Sequence, residues 1–243
     1  MTAVDAGGGR ITAAVTDAVE RVFGTVADVH AAAVRSLEPV ARDGADGAPA
    51  GDAPELGTAV RRLLSSPGQL ATGLGVILAP QAGTGGPGHD VPVRLHWWQL
   101  DPDNDRLLSL DPDLKPSSAG FYDYTAAPWF AVPRETGRRH VVGPYVDVHG
   151  SGQYLLTLTE PVVAEGRFLG VAGADVPVSR FEVRLLGELG PLAQAFLLVN
   201  EEGRVVVSTS PRWLVGSLVP PAGGLGAGAR VGGVPWRLHL LPA

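Results

Sequence analysis

Two apolar runs with strand-like alternation, YLLTLT at 154–159 and FLGVA at 168–172, are separated by a short stretch containing Glu165-Gly166. Such a pair, joined through a Gly-containing turn, reads as a β-hairpin and commits this part of the chain to an antiparallel sheet. Glu160-Pro161 interrupts the first run before Val162-Val163 resumes it. Ahead of the hairpin, the segment beginning FYDYTAAPWF at 121 is aromatic and punctuated by proline, which suits the wall of a cavity. Asp175 falls just past the second run, where a side chain can point into whatever the aromatic segment encloses. The stretch 121–179 is the part around which the chain is organised.

The remaining elements follow from periodicity. Residues 1–9 contain Gly7-Gly8-Gly9 and are expected to fray. From 10 to about 37 the pattern is helical: Val15, Val19, Val22, Val26, Val29 and Ala33 recur at spacings of four and three, and Pro39 ends the helix. At ~1.5 Å per residue it would be roughly 40 Å long. The seam fits a helix packed along its own domain, or else a homodimer contact. Residues 41–54 (ARDGADGAPAGDAP) read as a flexible linker, 55–64 as a second helix, 70–78 as a strand and 81–90 as a loop. VPVRLHWWQL at 91–100 alternates as a strand with Trp97 and Trp98 on opposite faces. A turn at 101–106 leads to a short run at 107–110. Beyond the hairpin come a helix at 181–189, a second hairpin at 195–208 turning at Gly203, a Gly- and Pro-rich loop at 220–233 and a last strand at 235–241. Helices first and a meander of strands afterwards predict an α+β fold with an antiparallel sheet.

Composition removes several classes of function. A formal charge of −6 and a pI near 5.5 leave no phosphate-binding surface, and the densest basic cluster is Arg134, Arg138 and Arg139, so no nucleic-acid partner is expected. With no cysteine there is no disulfide, thiolate metal site or cysteine nucleophile. The N-terminus has no basic region followed by an apolar core, and no run of 18 apolar residues exists, so neither a secretory signal nor a membrane span is expected. If Met1 is the true start, the expected location is the cytoplasm; for an excised sensor fragment it is extracytoplasmic. GxSxG, HExxH and GxxxxGK[ST] are all missing, no nucleophile–base pair or cofactor fingerprint is visible, and the expectation is a protein that is not an enzyme and needs no cofactor. Asp101, Asp103 and Asp105 imitate half of a calcium loop, but Arg106 and Pro112 stand where the turn glycine and bidentate Glu belong. The six histidines show no i, i+4 pair, so no metal site is expected; His140 and His149 flank the aromatic segment and are candidates to line its cavity.

What remains is a concentration of aromatics and carboxylates. Tyr122, Trp129, Phe130 and Tyr145 fall within 24 residues, with Asp147 two residues further and Asp175 beyond the hairpin. Aromatic faces attract cations by about 0.5–2 kcal/mol where water is excluded. Carboxylates beside them accept charge-assisted hydrogen bonds from an ammonium. The same spacing is compatible with core aromatics and solvated turn acids.

The segments GPYVD at 143–147, TLTEPV at 157–162 and GRFLGVAGADV at 166–176 resemble the Cache domain, the PAS-like small-molecule sensor of bacterial receptors. With the long N-terminal helix and the FLLVNEEG hairpin at 196–203, the similarity extends over most of the chain. It is greatest to the double-Cache type with a reduced second module. The resemblance implies a PAS-like antiparallel sheet with a long N-terminal helix (1–39), a ligand-binding module (55–189) and a small C-terminal accessory sheet (190–243). It also implies a ligand set. In amino-acid receptors of this family a Tyr, an Arg, a Trp-Tyr pair, a Tyr-x-Asp and a final Asp hold the ligand. Here Tyr122, Trp129, Phe130, Tyr145, Asp147 and Asp175 take those places, but the Arg position is Ala127.

In the family that Arg grips the ligand carboxylate, whereas the two aspartates hold the ammonium. Leaving a buried carboxylate without its bidentate partner costs roughly 2–5 kcal/mol, on the order of thirtyfold to several-thousandfold in affinity. A small amine loses nothing, and the family includes amine receptors with this vacancy. The resemblance therefore implies an amine sensor working with a separate output partner. The alternatives are an amino-acid or carboxylate sensor in which Arg94, Arg134, Arg138 or Arg139 substitutes, and a ligand-free protein that dimerises through its N-terminal seam.

Overall fold

The computed structural model describes residues 3–42, 54–79, 95–101, 104, 106–113, 117–148, 152–192, 194–220, 225–231 and 233–242. Helix α1 (Ala3–Arg42) opens the chain, followed by α2 (Pro54–Leu64) and strands β1 (Gly73–Leu78), β2 (Leu95–Leu100) and β3 (Leu107–Ser109). A single 3₁₀ turn (Tyr124–Ala126) leads into α3 (Pro128–Thr136), then β4 (His140–Val146), β5 (Tyr154–Ala164), β6 (Arg167–Pro177) and α4 (Val178–Leu189). The chain finishes with β7 (Phe196–Val199), β8 (Val205–Ser208), β9 (Ala229–Arg230) and β10 (Arg237–Leu240). Strands β3-β2-β1-β6-β5-β4 form one antiparallel sheet and β8-β7-β10-β9 a smaller one. The α+β, PAS-like architecture expected from the sequence is the one observed.

The predicted hairpin is the centre of the larger sheet. Glu165 and Gly166 both take positive φ (52° and 72°), the pair of left-handed conformations that a two-residue hairpin turn of matching twist requires. Two expectations need correction here. Strand β5 does not stop at Glu160-Pro161 but runs through Pro161, which pairs with Val171. Pairing with β4 ends at Thr159, so beyond it β5 has an open edge, where a strand tolerates proline. Asp175 does not follow β6 but sits inside it, between Gly73 of β1 and Thr157 of β5.

One face of this sheet packs on α1. Alternation puts Leu74 and Val76 of β1, Leu156 and Leu158 of β5, and Ala172, Ala174 and Val176 of β6 on that face, all buried. They meet the α1 seam, in which Val15, Val19, Val22, Val26, Val29 and Ala33 are each buried to within 1%. Glu160, on the same side of β5, accepts from His30 of α1 at 2.8 Å when that nitrogen carries its proton. The seam is therefore spent inside the chain, and the alternative of a dimer contact along it is not the one observed. Helix α1 also overruns its expected bounds: it begins at Ala3, takes in Gly7-Gly8-Gly9, and continues past Pro39 to Arg42. From Ile11 onward α1 is packed and so already nucleated, and its ends extend without the cost of starting a new helix.

Three helices or strands were not expected, one of them the short β9 inside the loop expected at 220–233. The aromatic segment contains helix α3, and 140–146 is a strand, β4, that completes the sheet edge. The small sheet packs onto the rest through Trp236, whose ring meets Phe181 of α4 edge-on at 5.8 Å, and through Asn200, whose Nδ2 donates to the Gly143 carbonyl at 2.9 Å. The loop expected at 81–90 and most of the linker at 41–54 lie outside the described residues, as do His149, Arg94, Asp103 and Asp105.

Candidate functional site

The other face of the larger sheet carries three rows of side chains, set by register and spaced two residues apart. Gln99, Gly73, Asp175 and Thr157 form the first row across β2-β1-β6-β5. Trp97, Gly75, Gly173 and Thr159 form the second. Leu95, Ile77, Val171 and Pro161 form the third. Two glycines of this floor, Gly73 in the first row and Gly173 in the second, lie against the Trp97 indole. A Cβ on Gly73 would stand 2.9 Å from Trp97 Nε1, and one on Gly173 would stand 3.1 Å from the far edge of the same ring. These positions keep the floor flat enough for an indole.

Helix α3 and its preceding turn roof this floor. Asp123 starts the turn by accepting from the Thr125 backbone N–H (3.0 Å) and hydroxyl (2.6 Å). Pro128 opens α3 at a position where no N–H is needed. Pro133 within α3 has no N–H to give the Trp129 carbonyl four residues earlier. That carbonyl accepts instead from the buried Thr159 hydroxyl at 2.7 Å, and the defect in the helix becomes its tether to β5. The Tyr124 and Trp129 rings stack at 6.3 Å, and Tyr124 donates to the Leu78 carbonyl at 3.4 Å.

Between floor and roof lies a cavity of about 70 Å³, measured to the centre of a water-sized sphere. One water needs ~10–15 Å³ on that measure, so there is room for roughly five, or for a guest of a handful of heavy atoms. Tyr122, Trp129, Tyr145, Asp147 and Asp175 line it, five of the six residues singled out by sequence. Phe130 does not. On α3, Phe130 is turned ~100° from Trp129, and its ring packs away from the cavity. Phe130 is fully buried behind it, edge-on to Tyr124, Trp129 and Phe168. Trp97, Tyr124 and Thr157 also line the cavity, as do the apolar Ile77, Leu95, Leu110 and Pro112. The sequence signals for the first three were slight: the alternation at Trp97-Trp98, a second tyrosine in the aromatic run, and a threonine inside an apolar strand.

The polar end is a hydrogen-bonded chain. The Thr157 hydroxyl donates to Asp175 Oδ1 at 2.7 Å, and Tyr145 Oη lies 2.8 Å from the same hydroxyl. Thr157 has a single proton, so when it is given to an ionised Asp175, Tyr145 must be donating to Thr157. Burial pushes the Asp175 carboxyl up to about 7; the Thr157 bond opposes the shift, Asp147 adds to it, and Trp97 and Gln99 oppose it. Trp97 Nε1 lies beside Asp175 near Gly73 but is buried without a hydrogen bond of good geometry among the described residues. Burial also raises the phenols of Tyr145 and Tyr122, the latter hydrogen-bonded by the Trp129 indole.

No described arginine, lysine or histidine lines the cavity. Arg139 is paired with Glu20 and stacked 4.4 Å over Phe23, both on α1. Arg134 lies 5.8 Å from the Phe130 ring centre and pairs with Glu135. His140, at the start of β4, is also away from it. Ala127, at the start of α3, packs against the aromatic cluster. Among the described residues no cluster of three or more potential metal ligands occurs, and no helix is long and apolar enough to cross a membrane.

Residues 107–182, from β3 into α4, match the family described as methyl-accepting chemotaxis protein-like, first PDC sensor domain. The methyl-accepting chemotaxis protein TlpQ of Pseudomonas aeruginosa is 30% identical over 90 residues, 36% of this chain and 13% of TlpQ. The matched segment is thus a small part of that relative. Among solved structures, the ligand-binding domain of the P. aeruginosa PAO1 amino acid chemoreceptor PctB, in complex with L-Arg, aligns over 98% of this chain and 92% of its own at 16% identity and a TM-score of 0.57. The corresponding domain of PctC, in complex with GABA, aligns over 97% of both chains at 18% identity and a TM-score of 0.52. The extracellular domain of the putative histidine kinase mmHK1S-Z2 aligns over 88% of this chain and 73% of its own, at 17% identity and a TM-score of 0.57. The chain therefore has the fold of the chemoreceptor ligand-binding domains, and its residues 107–182 match the PDC-type sensor segment.

Proposed function

We propose that this protein is a sensor that binds a small amine in the cavity between the six-stranded sheet and α3. Asp147 and Asp175 take the ammonium, while Tyr122, Trp129 and Tyr145 supply ring faces and hydroxyls around it. The observation that carries this reading is the make-up of the lining: two carboxylates share the cavity with aromatic rings, and no described lysine, arginine or histidine is among the lining residues. Phe130 supports the wall from behind and leaves the contact set.

A free amino acid would bring a carboxylate into the same space. Ala127 offers it nothing, and none of the candidate arginines among the described residues, Arg134, Arg138 and Arg139, lines the cavity. That argues against the amino-acid reading, although PctB and PctC, which share the fold, are amino acid receptors. The ligand-free alternative is disfavoured by a cavity that the protein's own side chains do not fill. The finer assignment to the double-Cache type, with the β7–β10 sheet as a reduced second module, belongs to the same proposal. So does a separate output partner. A cytoplasmic location draws no support from these relatives, one of which is an extracellular domain, and an extracytoplasmic site of action suits the proposal better.

Isothermal calorimetry with a panel of primary amines and their parent amino acids tests this reading. Amines should bind at least about thirtyfold more tightly than the corresponding amino acids. Equal affinity for an amine and its amino acid would defeat it.

A further inference from the structure

The cavity floor is graded in polarity along the strands. Its first row holds Asp175 and Thr157, whereas the third holds Leu95, Ile77 and Val171. Four residues of β1 separate Gly73 in the first row from Ile77 in the third, about 13 Å at ~3.3 Å per residue. Asp147 lies further still from the apolar row, because its backbone N–H bonds Gln153, which precedes Thr157 along β5. Both lining acids therefore sit at one end. Leu110 and Pro112 help to line the cavity, and the hydroxyl of Tyr124 is committed to the Leu78 carbonyl near the apolar row.

Resting on the amine reading above, we infer that the guest is a primary monoamine with a short apolar tail, held with its ammonium at Asp147 and Asp175 and its tail over Ile77 and Leu95, and that diamines and polyamines are rejected. A diamine long enough to reach the third row would place its second ammonium against Ile77 and Leu95. No described acid lines that end. An ammonium taken from water without a partner is disfavoured far more than a methyl group, which gains from the same burial. The volume of about 70 Å³ keeps the tail short.

Calorimetry with n-propylamine, n-pentylamine and 1,5-diaminopentane tests the inference on the unmodified protein. The two methylenes added between propylamine and pentylamine should each tighten binding by about fourfold, for a total of about fifteenfold. The diamine should bind at least about thirtyfold more weakly than pentylamine. A diamine that matches or exceeds pentylamine overturns the inference and leaves the amine reading intact. Failure of all three to bind overturns both. Leu95, half-buried at the start of β2 and in the third row, offers a second probe. Leu95→Asp puts a carboxylate at the apolar end and should shrink the preference for pentylamine over the diamine by tenfold or more. An unchanged ratio would overturn the placement of the tail.

Discussion

The two faces of the six-stranded sheet are made by the same strands and do opposite things. On one, Leu74, Val76, Leu156, Leu158, Ala172, Ala174 and Val176 close against α1 with no described polar side chain buried among them. On the other, offset by a single residue, Gly73, Gly75, Gly173, Thr157 and Asp175 leave a cavity. A strand alternates sides at every residue, so a chain can specify a packed face and an open one independently, letter by letter. Stability and recognition are thereby kept on separate side chains. The buried acid on the open face is held by Thr157, not by the packing beneath it.

That separation is open to direct attack. On the α1 face, Leu158→Ala should lower unfolding free energy by about 2–5 kcal/mol in a denaturant titration. The folded protein should keep its amine affinity to within about twofold. A collapse of affinity in parallel would mean that the faces are coupled.

On the cavity face, Asp175→Asn should reduce amine affinity by at least about a hundredfold at pH 8. Its effect on stability should have the other sign. The folded carboxyl titrates near 7, above the ordinary carboxylate value, because burial penalises its charge. The unfolded chain therefore releases this proton first. The contribution of Asp175 to stability is full below the unfolded value, near 4, and is lost as pH rises towards and through about 7. The Asn variant should consequently be more stable than the parent above pH 7, by up to about 4 kcal/mol in denaturation at pH 8. Amine binding needs the ionised form, so affinity should fall by about tenfold per pH unit below 7 in the parent and stay flat in the variant. A parent protein with no pH dependence between 5.5 and 8 would remove Asp175 from the ammonium site.

Ala127→Arg sharpens the comparison from the roof. It should raise affinity for an amino acid relative to its amine by at least about thirtyfold in competition calorimetry, and a constant ratio would show that position 127 does not govern the carboxylate end. The smallest expected effect is that of Tyr145→Phe. Thr157 still donates to Asp175 in that variant, so the loss should be about 1 kcal/mol, or fivefold in affinity. A loss as large as that of Asp175→Asn would make the tyrosine a direct ligand contact.

Much of this was legible from local pattern. The α1 seam, the Glu165-Gly166 turn, the alternation at Trp97 and Trp98, and the five candidate residues that line the cavity all follow from spacing or from resemblance. The failures share a cause. Pro161 looked like a strand end because its tolerance depends on β4 stopping at Thr159. Asp175 was placed beyond its strand because residues 173–177 owe their pairing to β1 and β5, not to their own sequence. Phe130 takes a place of the Trp-Tyr pair in the resemblance, but that pattern does not show the helix that turns its ring away from the cavity.

What the chain determines by itself is therefore its periodicity, its turns and its deficit of positive charge. Those depend on neighbours in sequence and on composition. The tertiary structure alone decided that Gly73, Trp97, Thr157 and Asp175, spread over about a hundred residues, share one floor. Register across four strands brings them together, and register is a property of paired strands that no single strand encodes.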